Sequence, residues 1–182
     1  MKNTKNLIGT GLCMAMGLLL PQLFHAIGAG SVFLPMHIPV LICGLCFGWE
    51  YGLACGVVTP LLSSVITGMP PIFPTAIAMM FELAAYGALT GLIYRKLNLN
   101  IYLSLVVSML GGRVVSGIAS MILYGVAGSE YGLQIFLTGA FATALPGIIL
   151  QIVVVPVLVM ALEKAKVIEK PVRNQALDAK GI

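Results

Sequence analysis

Charged side chains are scarce in this sequence, which has 182 residues, 9% of them charged and 59% hydrophobic. An ordinary soluble domain carries charge on about a quarter of its positions. Too little polar material is present to cover a water-facing surface, which excludes a soluble globular protein. The net charge of +4 does not indicate a nucleic-acid partner, because the basic residues lie beside apolar runs rather than in a patch interleaved with aromatic side chains.

Motifs of the common enzyme classes are also absent. The sequence contains no Gly-x-x-x-x-Gly-Lys-Ser/Thr phosphate loop, no His-Glu-x-x-His zinc helix and no Gly-x-Ser-x-Gly nucleophile elbow. We therefore expect no ATP hydrolysis by this chain, no enzymatic activity and no cofactor. An intramembrane enzyme built on Glu82 and His37 would lack a recognisable nucleophile or metal set.

Cysteine is limited to four residues, and all of them lie within apolar segments. Secreted proteins stapled by disulfides instead place their cysteines in spaced loops. Two of the four form a Cys-x-x-Cys pair with redox or metal spacing, but no second motif accompanies it. We interpret all four as small buried hydrophobic side chains and expect no metal site. They are Cys13, Cys43, Cys46 and Cys55.

Long apolar runs dominate what the sequence does contain. A bilayer core of about 30 Å needs about 20 helical residues, so the chain has room for roughly six crossings. No run shows the alternation of a barrel strand. We predict an all-α integral membrane protein, with one six-helix domain at 1–170 and a short polar tail at 171–182. The predicted helices are 7–24, 34–48, 51–66, 72–94, 101–126 and 133–162.

The basic residues indicate the orientation of this bundle. Nine of the ten Lys and Arg residues fall on one side, before the first helix, after the fourth and after the sixth. Such loops face the cytoplasm, which predicts cytoplasmic N- and C-termini and agrees with an even number of helices. We expect a multi-pass protein of a bacterial plasma membrane. Its outer loops would lie near 26–34, 67–74 and 127–131, with Glu130 as their one charge.

Two charges remain inside the membrane, Glu82 in the fourth predicted helix and Arg113 in the fifth. A lone ionised side chain at the midplane costs roughly 3 kcal/mol on insertion scales, so such residues usually face the bundle interior and pair or bind something. We expect these two residues to pair with each other. The pair is either purely structural or also contacts a polar ligand.

Polar residues accompany both charges at helical spacing, which predicts two polar stripes that line a cavity open to the outer side. Each hydroxyl alone is weak evidence, because Ser and Thr also bind backbone carbonyls in membrane helices. One stripe is Thr75, Met79, Glu82 and Tyr86, and the other is Met109, Arg113, Ser116, Ser120 and Tyr124.

The outer ends of two helices add further candidates for a binding site. Met36 and His37 open the second helix, where a neutral imidazole could either contact a heterocyclic ligand or anchor a loop. The proline-rich segment 68–74 forms either a stiff lid or an ordinary helix break. Its Met69 and Phe73 offer apolar surface that could cover a bound ring.

Several longer motifs together resemble one known family. The second helix opens with Leu-Pro-Met-His-Ile-Pro-Val-Leu, and the third contains Trp-Glu-Tyr-Gly and Thr-Pro-Leu-Leu-Ser-Ser before Gly-Met-Pro-Pro. With the length and the six helices, this pattern resembles the substrate-binding S components of energy-coupling factor (ECF) transporters. The resemblance covers nearly the whole chain and is strongest at 34–73.

The resemblance implies capture of a vitamin or related micronutrient beneath the three outer loops. It also implies a transmembrane coupling subunit and two cytoplasmic ATPases as partners, in the lipid bilayer and without nucleic acid. Family members dock the coupling subunit through small residues of the first helix, typically alanines. For Gly9, Cys13 and Gly17, packing of helices within the bundle is the alternative to docking. The sets are Gly9, Cys13 and Gly17, or Gly11 and Ala15.

The ligand and the transport mode stay open at this point. Overall likeness points to S components for a cobalamin precursor such as alpha-ribazole. The start Met-Lys-Asn differs from the Met-His pair of nickel and cobalt members, which argues against metal uptake. One alternative is a self-sufficient ion-coupled carrier or channel that uses Glu82 and Arg113. Another is a membrane scaffold without a ligand.

Overall fold

The structure is a computed structural model, and it describes residues 2–26, 28, 33–126, 128, 138 and 144–168. These residues form helices without any strand. Two short π-helical turns, Ile72–Ala76 and Leu92–Lys96, flank α4 and extend it into a longer fourth span. The helices are α1 (Lys2–Ala26), α2 (His37–Phe47), α3 (Trp49–Thr67), α4 (Ile77–Gly91), α5 (Ile101–Val126) and α6 (Leu145–Lys164).

Five of these helical segments are long and apolar enough to cross a membrane, and α2 is a shorter apolar helix. The predicted all-α membrane bundle is therefore confirmed, with one correction. At 11 residues, α2 spans only about 16 Å at 1.5 Å per residue, which is about half of a bilayer core. The predicted tail at 171–182, Glu130 and the first part of the predicted sixth helix lie outside the described residues.

Backbone geometry moves several predicted helix boundaries. Leu34 has a φ of 48°, so α2 begins at His37 rather than at residue 34. Gly48 has a φ of 105° and separates α2 from α3 in a single residue, whereas the predicted second helix ended at it. As a result, α3 starts two residues earlier than predicted. Phe73 is extended, with φ of −118° and ψ of 135°, so regular helix in the fourth span begins after it.

Close helix packing at glycines places α4 in the middle of the bundle. It packs most extensively on α3, then on α5 and α2. A Cβ atom on Gly87 of α4 would overlap the backbone of Gly52 of α3, and one on Gly56 would overlap the backbone at Leu83. Glycine lets membrane helices approach to this distance. The four cysteines are free and buried, in agreement with our interpretation of them as small core side chains.

The outer surfaces of the bundle are apolar. Leu7 and Ile8 of α1 and Val114 and Ile118 of α5 are exposed, as a lipid-facing helix requires. Basic residues gather at one end, where Lys5, Arg95 and Lys166 line the same groove. The start of α1, the end of the fourth span and the end of α6 therefore share one side of the bundle. That this side is cytoplasmic stays a prediction from charge.

Candidate functional site

A buried carboxylate lies at the centre of a polar cluster between α4 and α5. Arg113 Nη1 lies 2.8 Å from Glu82 Oε1, so the predicted pairing of the two membrane charges is confirmed. The Tyr86 hydroxyl donates to the same oxygen at 3.1 Å, and the Ser116 hydroxyl donates to Oε2 at 2.9 Å. Glu82 is only 5% exposed. One cation thus balances the charge of Glu82, and two hydroxyl groups donate hydrogen bonds to its carboxylate.

Helical spacing explains how this cluster forms. Glu82 and Tyr86 are four residues apart on α4, and Arg113 and Ser116 are three apart on α5, so each pair lies on one helix face. Gly112 completes the arrangement, because a Cβ atom there would overlap the Tyr86 ring. The absence of a side chain at this position lets the ring lie directly against α5.

His37 reaches the cluster from the start of α2. Its Nε2 atom lies 3.5 Å from Glu82 Oε1, which is longer than a good hydrogen bond. The imidazole also packs on Tyr86, with ring centroids 5.3 Å apart and planes tilted by 59°. The side chain is 2% exposed, yet within the described part of the chain neither ring nitrogen has a hydrogen-bond partner. Such a buried, unpaired imidazole calls for an explanation.

His37 also lines a cavity of about 310 Å³. Pro21, Gln22 and His25 of α1 form one wall, and residues 34–37 and Met79 form others. The lining is almost entirely apolar apart from Gln22, Ser63 and the two imidazoles. His37 is therefore shared between the cavity wall and the buried polar cluster.

The segment 69–71 closes part of this cavity and is fixed to α3 by hydroxyl groups. Ser63 donates to the Met69 carbonyl at 2.8 Å, and Ser64 donates to the Pro70 carbonyl at 2.5 Å. Thr67 also donates to the Met69 carbonyl, at 3.0 Å. Three hydroxyl groups of α3 therefore fix the segment 69–71 over the cavity.

Comparison with known protein families identifies the family of this chain. The chain matches the family "ECF transporter, substrate-specific component" over residues 5–159. The chain belongs to this family. It is therefore a substrate-binding membrane subunit of an importer, an S component, and the resemblance drawn from its motifs is confirmed. Neither the curated proteins nor the solved structures contain a significant match.

The S component's predicted site residues fall into separate groups in the structure. Met36, His37, Met69 and Met79 line the cavity, whereas Glu82, Tyr86 and Arg113 form the cluster behind His37. Glu82 and Tyr86 of one stripe therefore face Arg113 and Ser116 of the other, and of the two stripes Met79 lines the cavity. The remaining four belong to neither group: Thr75 and Tyr124 bond at 3.1 Å, Ser120 is buried in α5, and Phe73 is 46% exposed.

Leu34, Pro35, Pro70 and Pro71 line the cavity beside predicted residues of the same segments, and four further cavity residues of this S component were not predicted from the sequence. These four belong to the C-terminal end of α1 and to α3, and the signal that could have identified the first three is a polar interruption of an apolar helix. Gln22 and His25 are three residues apart, just after a proline, and so share one face. Nothing comparable marks the fourth. The residues are Pro21, Gln22, His25 and Ser63.

The small residues of α1 divide between two faces of the helix. A Cβ atom on Gly9 would overlap the Phe47 ring, and one on Gly17 would overlap the Thr59 side chain. Cys13, between them, is buried. This face is used for packing on α2 and α3 within the S component. Gly11 and Ala15 are exposed on another face of α1.

Proposed function

We propose that this S component captures a vitamin-like heterocycle in the cavity beside His37 and delivers it through an ECF importer. The observation that supports this site is a cavity of about 310 Å³ with a buried imidazole in its wall. Pockets for small ligands are typically concave and mostly apolar, with a few polar groups that set orientation. The hydroxyl-fixed segment 69–71 would cover the ligand.

The proposed substrate is a cobalamin precursor such as alpha-ribazole. Its methylated aromatic ring system suits a wall built from methionine and proline side chains, since thioethers make favourable contacts with aromatic rings. The cavity volume of about 310 Å³ is at the low end of the range of about 300–1,000 Å³ for ligand pockets, which favours a precursor over an intact corrinoid.

We propose that the partners are a transmembrane coupling subunit and two cytoplasmic ATPases, in a bacterial plasma membrane with both termini of the S component inside. Gly11 and Ala15 are the small residues of α1 that remain available on its surface, because the face with Gly9 and Gly17 packs internally. Helices in membranes associate closely at such exposed small residues. We therefore assign coupling-subunit docking to Gly11 and Ala15.

Ligand capture is tested by native mass spectrometry of the gently purified protein, together with a thermal-shift screen of B vitamins and cobalamin precursors. We expect a copurified or stabilising heterocycle, and ligand present at 100 times its Kd would add about 2.7 kcal/mol of stability. His37→Phe should weaken binding at least tenfold without loss of folded protein. A folded protein that none of these compounds stabilises would contradict the capture role.

Docking is tested with Gly11→Leu, which adds bulk to the exposed face of α1. We expect ATP-driven uptake by the reconstituted complex to fall at least tenfold, while ligand binding by the isolated S component stays unchanged. Gly125→Leu is the matched control, because Gly125 also has open space around it but lies on α5.

Equal uptake by the Gly11 and Gly125 variants would show that the coupling subunit does not dock on the face of α1 that carries Gly11. Accumulation by the isolated chain under an ion gradient alone, abolished by Glu82→Gln, would instead support the ion-coupled carrier.

A further inference from the structure

A second groove lies at the opposite end of α1 from the cavity beside His37. Its volume is about 580 Å³, and its walls come from the start of α1, the end of α2, the end of the fourth span and the chain that follows α6. Lys5, Arg95 and Lys166 line it, and none of its described lining residues is Asp or Glu. The groove is therefore positively charged, which favours a negatively charged ligand.

One wall of this groove is apolar. Ile8 and Leu12 lie four residues apart on one face of α1, and both are exposed, with Phe47 of α2 in the same wall. From Lys5 to Leu12, α1 rises by about 10 Å at 1.5 Å per residue. The groove thus extends from the charged end of the helix into the apolar part of the span. A ligand that fills it must be charged at one end and apolar at the other.

Lys166 reaches the groove through an unusual end of α6. Its amide donates to the Glu163 carbonyl at 3.0 Å, and the next amide donates to the Leu162 carbonyl at 3.1 Å, which is the Schellman pattern that ends many helices. Glycine usually occupies the position of Lys166 in this pattern, because the φ there is positive, here 57°. A lysine at this position keeps an unfavourable backbone conformation and adds a cation to the groove.

The surroundings of the groove leave its positive charge in excess. Arg95 is fixed at its edge, since Nε donates to the Leu45 carbonyl at 2.7 Å. Glu163 does not line the groove, because it is buried and accepts from the Tyr94 hydroxyl at 2.8 Å. The chain after residue 168 has three basic and two acidic residues, so it has no excess of negative charge to complement the groove. The surrounding bilayer, in contrast, contains molecules with both an anionic head and apolar chains.

We propose that this groove binds one anionic phospholipid, with its phosphate between Lys5 and Lys166 and an acyl chain along Ile8 and Leu12. Basic pockets between membrane helices are typical sites for anionic headgroups. A free phosphate has the same charge but nothing to cover the apolar wall. The proposal goes beyond the capture function and does not depend on which ligand the cavity takes.

Three probes that share a phosphate separate these requirements. Dioleoyl phosphatidylglycerol is anionic, dioleoyl phosphatidylcholine has the same chains but no net charge, and glycerophosphoglycerol is the anionic headgroup alone. The lipids are titrated into delipidated wild-type protein in a neutral detergent, and bound lipid is measured by native mass spectrometry. We expect phosphatidylglycerol to bind at least about tenfold more tightly than phosphatidylcholine, because two basic side chains attract it. A large excess of the headgroup alone should not displace it.

The double variant Lys5→Gln with Lys166→Gly removes both lysines from the groove. Glycine suits the positive φ at residue 166, so we expect the variant to melt no lower than the wild type. It should bind the two lipids equally. Lys96→Gln with Lys164→Gln is the matched control, because it makes the same change in net charge at the same end of the bundle and neither residue lines the groove. The control should keep the wild-type preference.

Several results would overturn the proposal. One is equal binding of the two lipids by the wild type, and another is a control that loses the preference as fully as the groove variant. Displacement of phosphatidylglycerol by the headgroup alone would make the groove a site for a soluble anion instead. Lipid binding only by a variant that ends at Ile168 would assign the groove to the C-terminal residues of the chain. The comparison of probes on the wild-type protein does not depend on whether any variant folds.

Discussion

Arg113→Met should remove most of the folded protein from detergent extracts. The substitution leaves the Glu82 carboxylate buried with two hydroxyl donors, from Tyr86 and Ser116, but no cation. Removing one partner of a buried ion pair typically costs 3–5 kcal/mol. A lone charge at the membrane midplane carries a penalty of roughly 3 kcal/mol on insertion scales. We expect a large loss of monodisperse protein in size-exclusion chromatography and a strongly lowered melting temperature.

Neutralising both partners should restore much of this stability. In the double variant Glu82→Gln with Arg113→Met, the glutamine amide oxygen can accept from one of the two hydroxyl groups while its NH2 group donates to the other, and no charge remains buried. Replacement of a buried ion pair by neutral groups is often close to neutral in free energy. The double-mutant cycle therefore isolates the interaction between the two charges. Ser120→Ala is the control, because Ser120 is buried on α5 without a hydrogen bond to Glu82, and we expect little change.

Wild-type melting of the Arg113 single variant would mean that the pair contributes nothing to the fold. That outcome would favour a charge kept for ligand contact or ion coupling. A destabilised single variant with a restored double variant would instead mark the pair as structural. In that case its influence on binding would act through His37, which lies between the pair and the cavity.

The transmembrane architecture could be predicted from the sequence because hydropathy and helix length are properties of the chain itself. Helix ends depended on single backbone angles that hydropathy does not reveal. The predicted second helix began at Leu34, but the positive φ of Leu34 prevents this. Gly48 was predicted to be part of a break at 47–50, but hydropathy does not show that this one residue forms the whole connection between α2 and α3.

The binding site was predictable only in part. The cost of burying an unpaired charge was enough to predict that Glu82 pairs with Arg113. Helical spacing was enough to predict that Tyr86 and Ser116 lie beside them. The position of the cavity depends on which helix faces meet. The polar faces of α4 and α5 satisfy each other, so the open space forms where α1 leans on α2 and α3. The polar pair Gln22 and His25 marks one face of α1, but the sequence of α1 alone does not show which helices that face meets.

Gly87→Val is expected to disrupt the central helix contact of the bundle. A Cβ atom on Gly87 would overlap the carbonyl group of Gly52, and the obstacle is backbone rather than a side chain that could rotate away. Overpacking in a core typically costs 1–3 kcal/mol, and here α3 and α4 must separate to relieve it, so we expect about 3 kcal/mol or more. Thermal melting followed by light scattering would detect the change.

Gly125→Val is the matched control for this substitution, because both glycines are helical and receive the same side chain. Among the described residues, no heavy atom lies within 4 Å of a Cβ atom added at Gly125, so the control should melt within a few degrees of the wild type. If the destabilisation comes from the close approach of α3 and α4, Gly52→Val should cost as much as Gly87→Val. Combining the two should cost less than their sum, since one separation of the helices relieves both overlaps. Equal melting of the Gly87 and Gly125 variants would show that the helices need no such contact.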